Sequence, residues 1–304
     1  MLIRKRPVPE ELLFFRFLNT LMELSEKQKH YYSNLEKGYT GEVKFDLLAE
    51  QLKEERLIIN DLFLEVNNSY FQIDTLIISQ GMIHLLEVKN YQGDWYLEAD
   101  KLYTVNTGRE YKNPVDQLKR STALFRQLLQ TLKQNYPVDA SVIFINPEFN
   151  LYQAPMDQPI ILPTQVNRFF NDLNNTPSKL NDGHRKLAQN LLSLHQTENP
   201  FTFTGLPDYH YDQLLKGMYC ETCTSILLFV KNSSLVCGKC GGHEKIEQAI
   251  LRSVKEFKLL FPQRKITTQS IYEWCGAALS RKTFCRVLKK NFTAAGSTSD
   301  TYYE

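Results

Sequence analysis

The chain has 304 residues, 42% of them hydrophobic and 23% charged, with a formal net charge of +2. That length allows two or three domains with their own cores, and so even a balance names no partner by itself. No apolar run approaches the length that crosses a bilayer, and MLIRKRPVPE has no apolar core with a cleavage site behind it, so neither a membrane protein nor a secretory signal is expected.

Charge is unevenly placed. Residues 220–304 hold 13 Lys+Arg against 7 Asp+Glu, while the rest holds 23 against 27. The basic end is the one a polyanion such as DNA would favour; a solvated surface would explain it equally. Four of the six cysteines fall in two CxxC pairs. That usage suits metal binding in a reducing compartment better than disulfides, so a cytoplasmic location is expected.

In chain order, Leu12, Leu13, Phe14, Phe17, Leu18, Leu21, Met22 and Leu24 recur at helical spacing and predict an amphipathic helix over 9–37. Gly38 reads as its stop and Thr40 as the N-cap of a second helix over 41–55. Glu42 would then lie in a first turn, where the helix dipole favours an acid. Residues 57–66 read as a strand and Asn67-Asn68-Ser69 as a turn. FQIDTLIISQGMIHLLEVK, residues 71–89, reads as two strands split by Ser79-Gln80-Gly81.

Asp74 lies in the first of these runs. Glu87 and Lys89 close the second and point to one face, with Val88 and His84 on the other. Acids inside apolar strands need compensation. A divalent cation would supply it, and so would a Glu87–Lys89 ion pair.

Residues 91–112 read as a hairpin region. Asn113-Pro114 starts a helix to about 134, with Gln117 one turn in and Lys119, Arg120, Arg126 and Lys133 on a basic side. A strand over 139–146, a short one at 160–162 and a helix over 164–173 follow. Residues 176–219 read as a spacer with one helix, about 179–194.

The string Gly41-Glu42, Ile73-Asp74, Glu87-Val88-Lys89-Asn90, Gly93, Asn113-Pro114 and Gln117 resembles the NERD (nuclease-related) domain of the PD-(D/E)xK nuclease superfamily over about residues 35–170. The superfamily's proline is replaced by Ile73. The resemblance implies an α/β fold with a mixed sheet flanked by helices. It also implies a catalytic set of Glu42, Asp74, Glu87, Lys89 and Gln117. Asp74, Glu87 and the Val88 carbonyl would hold Mg²⁺ or Mn²⁺.

Cys220-x-x-Cys223 and Cys237-x-x-Cys240 flank a predicted hairpin and resemble a zinc ribbon, whose four thiolates suit a structural Zn²⁺. Residues 245–304 look like a winged helix-turn-helix. Helices are predicted at 245–260, 269–276 and 281–291, the last capped by Ser280 and presenting Arg281, Lys282, Arg286, Lys289 and Lys290 to nucleic acid. Cys275 and Cys285 read as core thiols.

The expected organisation is therefore a helical region over 1–37, a nuclease-like domain over 38–175, the spacer, a zinc ribbon over 220–243 and a winged-helix-like domain over 244–304. The expected activity is metal-dependent hydrolysis of DNA. RNA as substrate and the oligomeric state are left open. The rival is a scaffold that binds DNA or protein without cutting, since a fold alone does not establish activity.

Overall fold

The computed structural model describes residues 1–197, 206–226, 228–297 and 300–304. Small parts of the expected spacer, zinc hairpin and wing (198–205, 227 and 298–299) lie outside the described residues. In chain order the elements begin with β1 (Leu2–Arg4), α1 (Glu10–Leu21), α2 (Glu26–Ala49), β2 (Leu57–Val66), β3 (Ser69–Ile78) and β4 (Ile83–Lys89). Then come β5 (Gly93–Glu98), β6 (Lys101–Thr104), β7 (Glu110–Tyr111), α3 (Pro114–Thr131), β8 (Val138–Phe144), β9 (Phe149–Tyr152), β10 (Ile160–Ile161), α4 (Pro163–Asn175) and α5 (Asp182–Ser193). The C-terminal part has β11 (Leu228–Lys231), β12 (Ser234–Cys237), β13 (His243–Lys245), α6 (Ile246–Leu260), α7 (Thr268–Trp274), α8 (Arg281–Asn291), β14 (Ala294–Ala295) and β15 (Tyr302–Tyr303).

The chain divides into two compact units, Met1–Pro9 with Ser33–Thr202, and Glu10–Tyr32 with Phe203–Glu304. This division does not follow a cut between 1–37 and 38–175, because the first residues belong with the larger unit. The first unit is mixed α/β, as expected. Its main sheet has the order β1-β2-β3-β4-β8-β10. β3 pairs antiparallel with both β2 and β4, whereas β1 joins β2, β8 joins β4 and β10 joins β8 in parallel. Asn67 and Asn68, both at positive φ, make the two-residue turn from β2 to β3.

One face of the sheet packs Phe125, Leu128 and Leu129 of α3 and Leu187, Ala188 and Leu191 of α5. The other packs Phe45 and Ala49 of α2 and Val166, Phe170 and Leu173 of α4. Helix α5, read from sequence as part of a spacer, is thus a core element. The smaller sheet β7-β6-β5-β9 adds Trp95, Leu97, Leu102 and Phe149 to the first core.

The N-terminal helices differ from expectation. The chain breaks near residues 22–25 and then runs as one 24-residue helix through Gly38 and Thr40. Ser25 and Gln28 explain the restart: the Ser25 N–H donates to Gln28 Oε1 at 2.8 Å and the Gln28 N–H donates back to Ser25 Oγ at 3.4 Å. That reciprocal pair is a capping box. Gly41 is in the helix for close approach, since a Cβ there would lie 2.4 Å from Asn90 Cβ. Asn90 donates to the Lys37 carbonyl at 2.7 Å on the same helix. Gly38 is therefore no stop and Thr40 no cap, and Glu42 lies in a helix interior, where the first-turn dipole argument does not apply.

In the second unit, β11, β12 and β13 form a three-stranded antiparallel sheet, one strand more than the expected hairpin. Helices α6, α7 and α8 follow, with Thr267 and Ser280 as N-caps. β14 and β15 pair antiparallel after α8. The core is aromatic: Phe257, Phe261, Trp274 and Tyr211 contact one another, and Tyr209 bridges Phe261 to Phe14 of α1. Trp274 donates to the buried Glu256 at 2.8 Å. Cys275 is fully buried here and Cys285 half-buried.

Candidate active site and cysteine cluster

The main sheet presents its acids where two strands change phase. Ile59 and Leu62 both face the α3 side, although three positions separate them, and so do Ile73 and Leu76. Asn60 pairs with Thr75 and Leu62 with Ile73, which leaves Asp61 opposite Asp74 at the shift. Asp61 takes a positive φ of 56°, a conformation that non-glycine residues adopt rarely and that clusters at functional sites.

Asp74, 7% exposed, accepts the Val88 N–H through Oδ2 at 2.8 Å. A strand residue turns its N–H and C=O to the same side, so the Val88 carbonyl faces Asp74 as well. Glu87, 1% exposed, accepts from Lys89 Nζ at 2.5 Å and from Gln117 Nε2 at 2.6 Å, both on Oε1. Gln117 reaches it because Asn113 caps α3, its Oδ1 accepting the Val115 N–H at 3.0 Å, and Pro114 fixes the first turn.

Glu42 comes from the middle of α2 and is held by Arg6, a residue to which the sequence pattern assigned nothing. Arg6 Nη1 donates to Glu42 Oε2 at 2.9 Å. Its Nε and Nη2 grip both oxygens of Asp46 at 2.9 and 3.0 Å, and Nη2 also reaches the Asp74 carbonyl at 2.8 Å and Thr75 Oγ1 at 3.1 Å. No local signal marks Arg6, whose partners lie 36–69 positions away. Its side chain is 3% exposed. Arg6→Ala would strand Asp46 and Glu42 without their counter-ion. The expected cost is about 3–5 kcal/mol, read as a drop in the urea midpoint at unchanged slope.

The electrostatics follow from burial and crowding. Burial, and then Asp74, push Glu87 up to about 7 and Glu42 up to about 8. Burial also raises Asp74 above its ordinary range, although Lys89, the Val88 N–H and Arg6 oppose the rise. Burial works against the charge on Lys89, but Glu87 and Asp74 outweigh it and hold the ammonium above its usual range. His84 stays apart, pairing with Asp139 at 3.2 Å and touching Phe169.

Glu42, Asp74, Glu87, Lys89 and Gln117, far apart in sequence, thus belong to one network of contacts and fields. The carboxylates do not close into a tight ligand cluster. Among the described residues, the one group of three or more His, Cys, Asp or Glu with all ligand atoms within 4.8 Å of one another is Cys220, Cys223, Cys237 and Cys240. The Cys220 and Cys240 sulfurs lie 3.6 Å apart and those of Cys223 and Cys237 3.5 Å. A tetrahedron with Zn–S bonds of about 2.3 Å has sulfur–sulfur edges of about 3.8 Å, so the four thiols could hold a metal ion such as zinc. Main-chain N–H groups of Lys239 and Gly242 point at the Cys237 and Cys240 sulfurs, each at 3.4 Å.

The helix α8 cations differ in their freedom. Arg281, Lys282, Arg286 and Lys289 are exposed, whereas Lys290 is tied to Glu247 at 2.8 Å.

The mixed sheet flanked by helices is that of a nuclease-like α/β unit, and Asp74 and Glu87, both buried, and the half-buried Lys89 lie on its adjoining strands β3 and β4. Residues 37–145 match the family model described as the nuclease-related domain, NERD. The match includes every residue of the network except Arg6, and stops short of the cysteines. No curated protein and no solved structure gives a match. No helix among the described residues is long and apolar enough to cross a membrane.

Proposed function

We propose that the protein is a divalent-metal-dependent nuclease whose first unit cuts phosphodiester bonds, with DNA as the substrate. The observation that carries this reading is a charge imbalance at the nuclease-related network. Glu42, Asp46, Asp74 and Glu87 bring four carboxylates, and Arg6 and Lys89 bring two cations. Without a cation the excess of acids in this largely buried place favours protonation of Glu42 and Glu87; one Mg²⁺ or Mn²⁺ would neutralise the two excess negative charges and let all four carboxylates ionise. Asp74 Oδ1, Glu87 Oε2 and the Val88 carbonyl are oxygen donors, the ligand type such a cation takes. When bound there, the ion would polarise a phosphate oxygen and stabilise the charge that builds on it.

The chain's own groups have separate tasks. Gln117 and Lys89 both hold Glu87 through Oε1, which leaves the other oxygen for a ligand. The Lys89 ammonium is the donor that orients the attacking water and steadies the phosphate. Glu42, fixed by Arg6, accepts a proton or holds a second cation. In the second unit the four cysteines hold one structural Zn²⁺, and α6 to α8 with the β14–β15 hairpin act as a winged helix that brings α8 to nucleic acid.

The test is incubation of the pure chain with supercoiled, linear and single-stranded DNA and with RNA, with Mg²⁺ or Mn²⁺ and without added metal. Cleavage of DNA that requires the metal is expected. A chain that binds DNA yet leaves every substrate intact would replace the nuclease by the scaffold reading.

A further inference from the structure

We propose that a groove between the β11–β12 hairpin and α8 holds the phosphate backbone of a nucleic-acid strand, so that the cysteine-held hairpin and α8 bind it jointly. The inference rests on the nucleic-acid reading above and deepens it, because it assigns contacts to residues outside α8. The groove belongs wholly to the second unit and has a volume of about 640 Å³, the size of a small-molecule site rather than of a double helix. Its polar walls are Asn232 and Ser233 at the hairpin tip, Lys245 at the end of β13, and Thr283, Arg286 and Lys290 on α8. Val230, Leu279 and Val287 supply apolar lining, which suits the sugar faces between phosphates.

Charge selects the occupant. Lys245 and Arg286 are exposed, and neither makes an ion pair among the described residues. Glu247 is the acid in the lining, and it is already engaged by Lys290 at 2.8 Å and by Asn291 Nδ2 at 3.0 Å. Arg286 also lies within the field of Glu247, so the lining sets three cations, Lys245, Arg286 and Lys290, against one acid, and the excess positive charge beside side chains that donate hydrogen bonds is the combination that binds phosphate oxygens. Arg281 and Lys282 continue the basic surface along α8 from its capped N-terminus, where the helix dipole also favours an anion. With α8 in a major groove, the flanking strand of the duplex would run between α8 and the hairpin.

The experiment titrates labelled single-stranded and duplex oligonucleotides with the full chain, carrying Asp74→Asn to prevent cutting, over a series of salt concentrations. Lys245→Ser and Arg286→Ser change exposed residues, so zinc content and circular dichroism should match the parent. Each should weaken binding several-fold at low salt and lower the salt slope by about one phosphate contact. If Arg281→Ser weakens binding but Lys245→Ser changes neither affinity nor slope, the groove proposal falls and α8 alone remains the contact. Displacement of the oligonucleotide from the parent by polyglutamate, but not from Lys245→Ser, would assign the groove to an acidic peptide instead. No binding by the parent would overturn the nucleic-acid reading together with the groove.

Discussion

Asp74→Asn should give a folded protein that no longer cleaves nucleic acid, and one that is more stable than its parent in the absence of divalent metal. The amide keeps an oxygen to accept the Val88 N–H, so the bond that joins β3 to β4 at this point survives. It removes the charge that, after burial, most strongly raises Glu87 and Glu42. Relief of that repulsion should add about 1 kcal/mol, the usual size of gain when a strained functional group is replaced. Cleavage should fall by about 10³-fold or more, roughly 4 kcal/mol of transition-state stabilisation.

Lys89→Ala makes the complementary case. It should abolish cleavage equally but destabilise the fold, because Glu87 would stay buried without its cation. Single-turnover cleavage with Mg²⁺ and thermal unfolding without it separate the two variants. Parent-like cleavage by both would remove the nuclease assignment.

Cys237→Ser should cost the second unit its metal and the ordered state of its β11–β13 sheet. The cysteines tie the ends of a small sheet in which Leu235 and Cys237 are the buried side chains among the described residues. Zinc bound by four thiolates contributes about 10–16 kcal/mol of apparent binding free energy that is also folding free energy, far more than so small a core supplies. The parent should carry one zinc per chain by elemental analysis. The variant should carry almost none and should be cut by protease within residues 220–245. The first unit has its own core and should resist the same digestion. Zinc-free parent protein, or a variant with an intact sheet, would refute the structural site.

The parts of the fold legible in the sequence are those whose signals are local. Apolar runs rich in Ile, Leu and Val, split by turn residues, mark β2 to β4. Asn113-Pro114 states a cap in two residues, and the cysteine spacing states its own cluster. The helix Glu26–Ala49 was less legible: its surface is largely polar, and its glycines resemble stops until Asn90 is seen packed on Gly41. The restart was written in Ser25 and Gln28, a capping-box spacing that apolar periodicity alone passes over.

The phase change of β2 and β3 had a trace too, in the polar pair Asn60-Asp61 inside LIINDLFLEV, but alternation gave no means to say where it would turn. The grouping of Glu42 with Asp74 and Glu87 came from resemblance and not from any pattern in the residues. Arg6 could not be read at all, since its five bonds are all long-range.

The placement of Arg6 has a consequence for inheritance. The stretch that carries the family's signature begins at residue 37, yet the counter-ion of its Glu42 and Asp46 is encoded some thirty codons upstream. Recombination that moved only the signature stretch into another gene would deliver the buried Asp46 and the half-buried Glu42 without their guanidinium. The piece that can be exchanged intact is therefore longer than the piece that can be recognised, and the N-terminal leader up to Arg6 should drift no faster than the acids it serves.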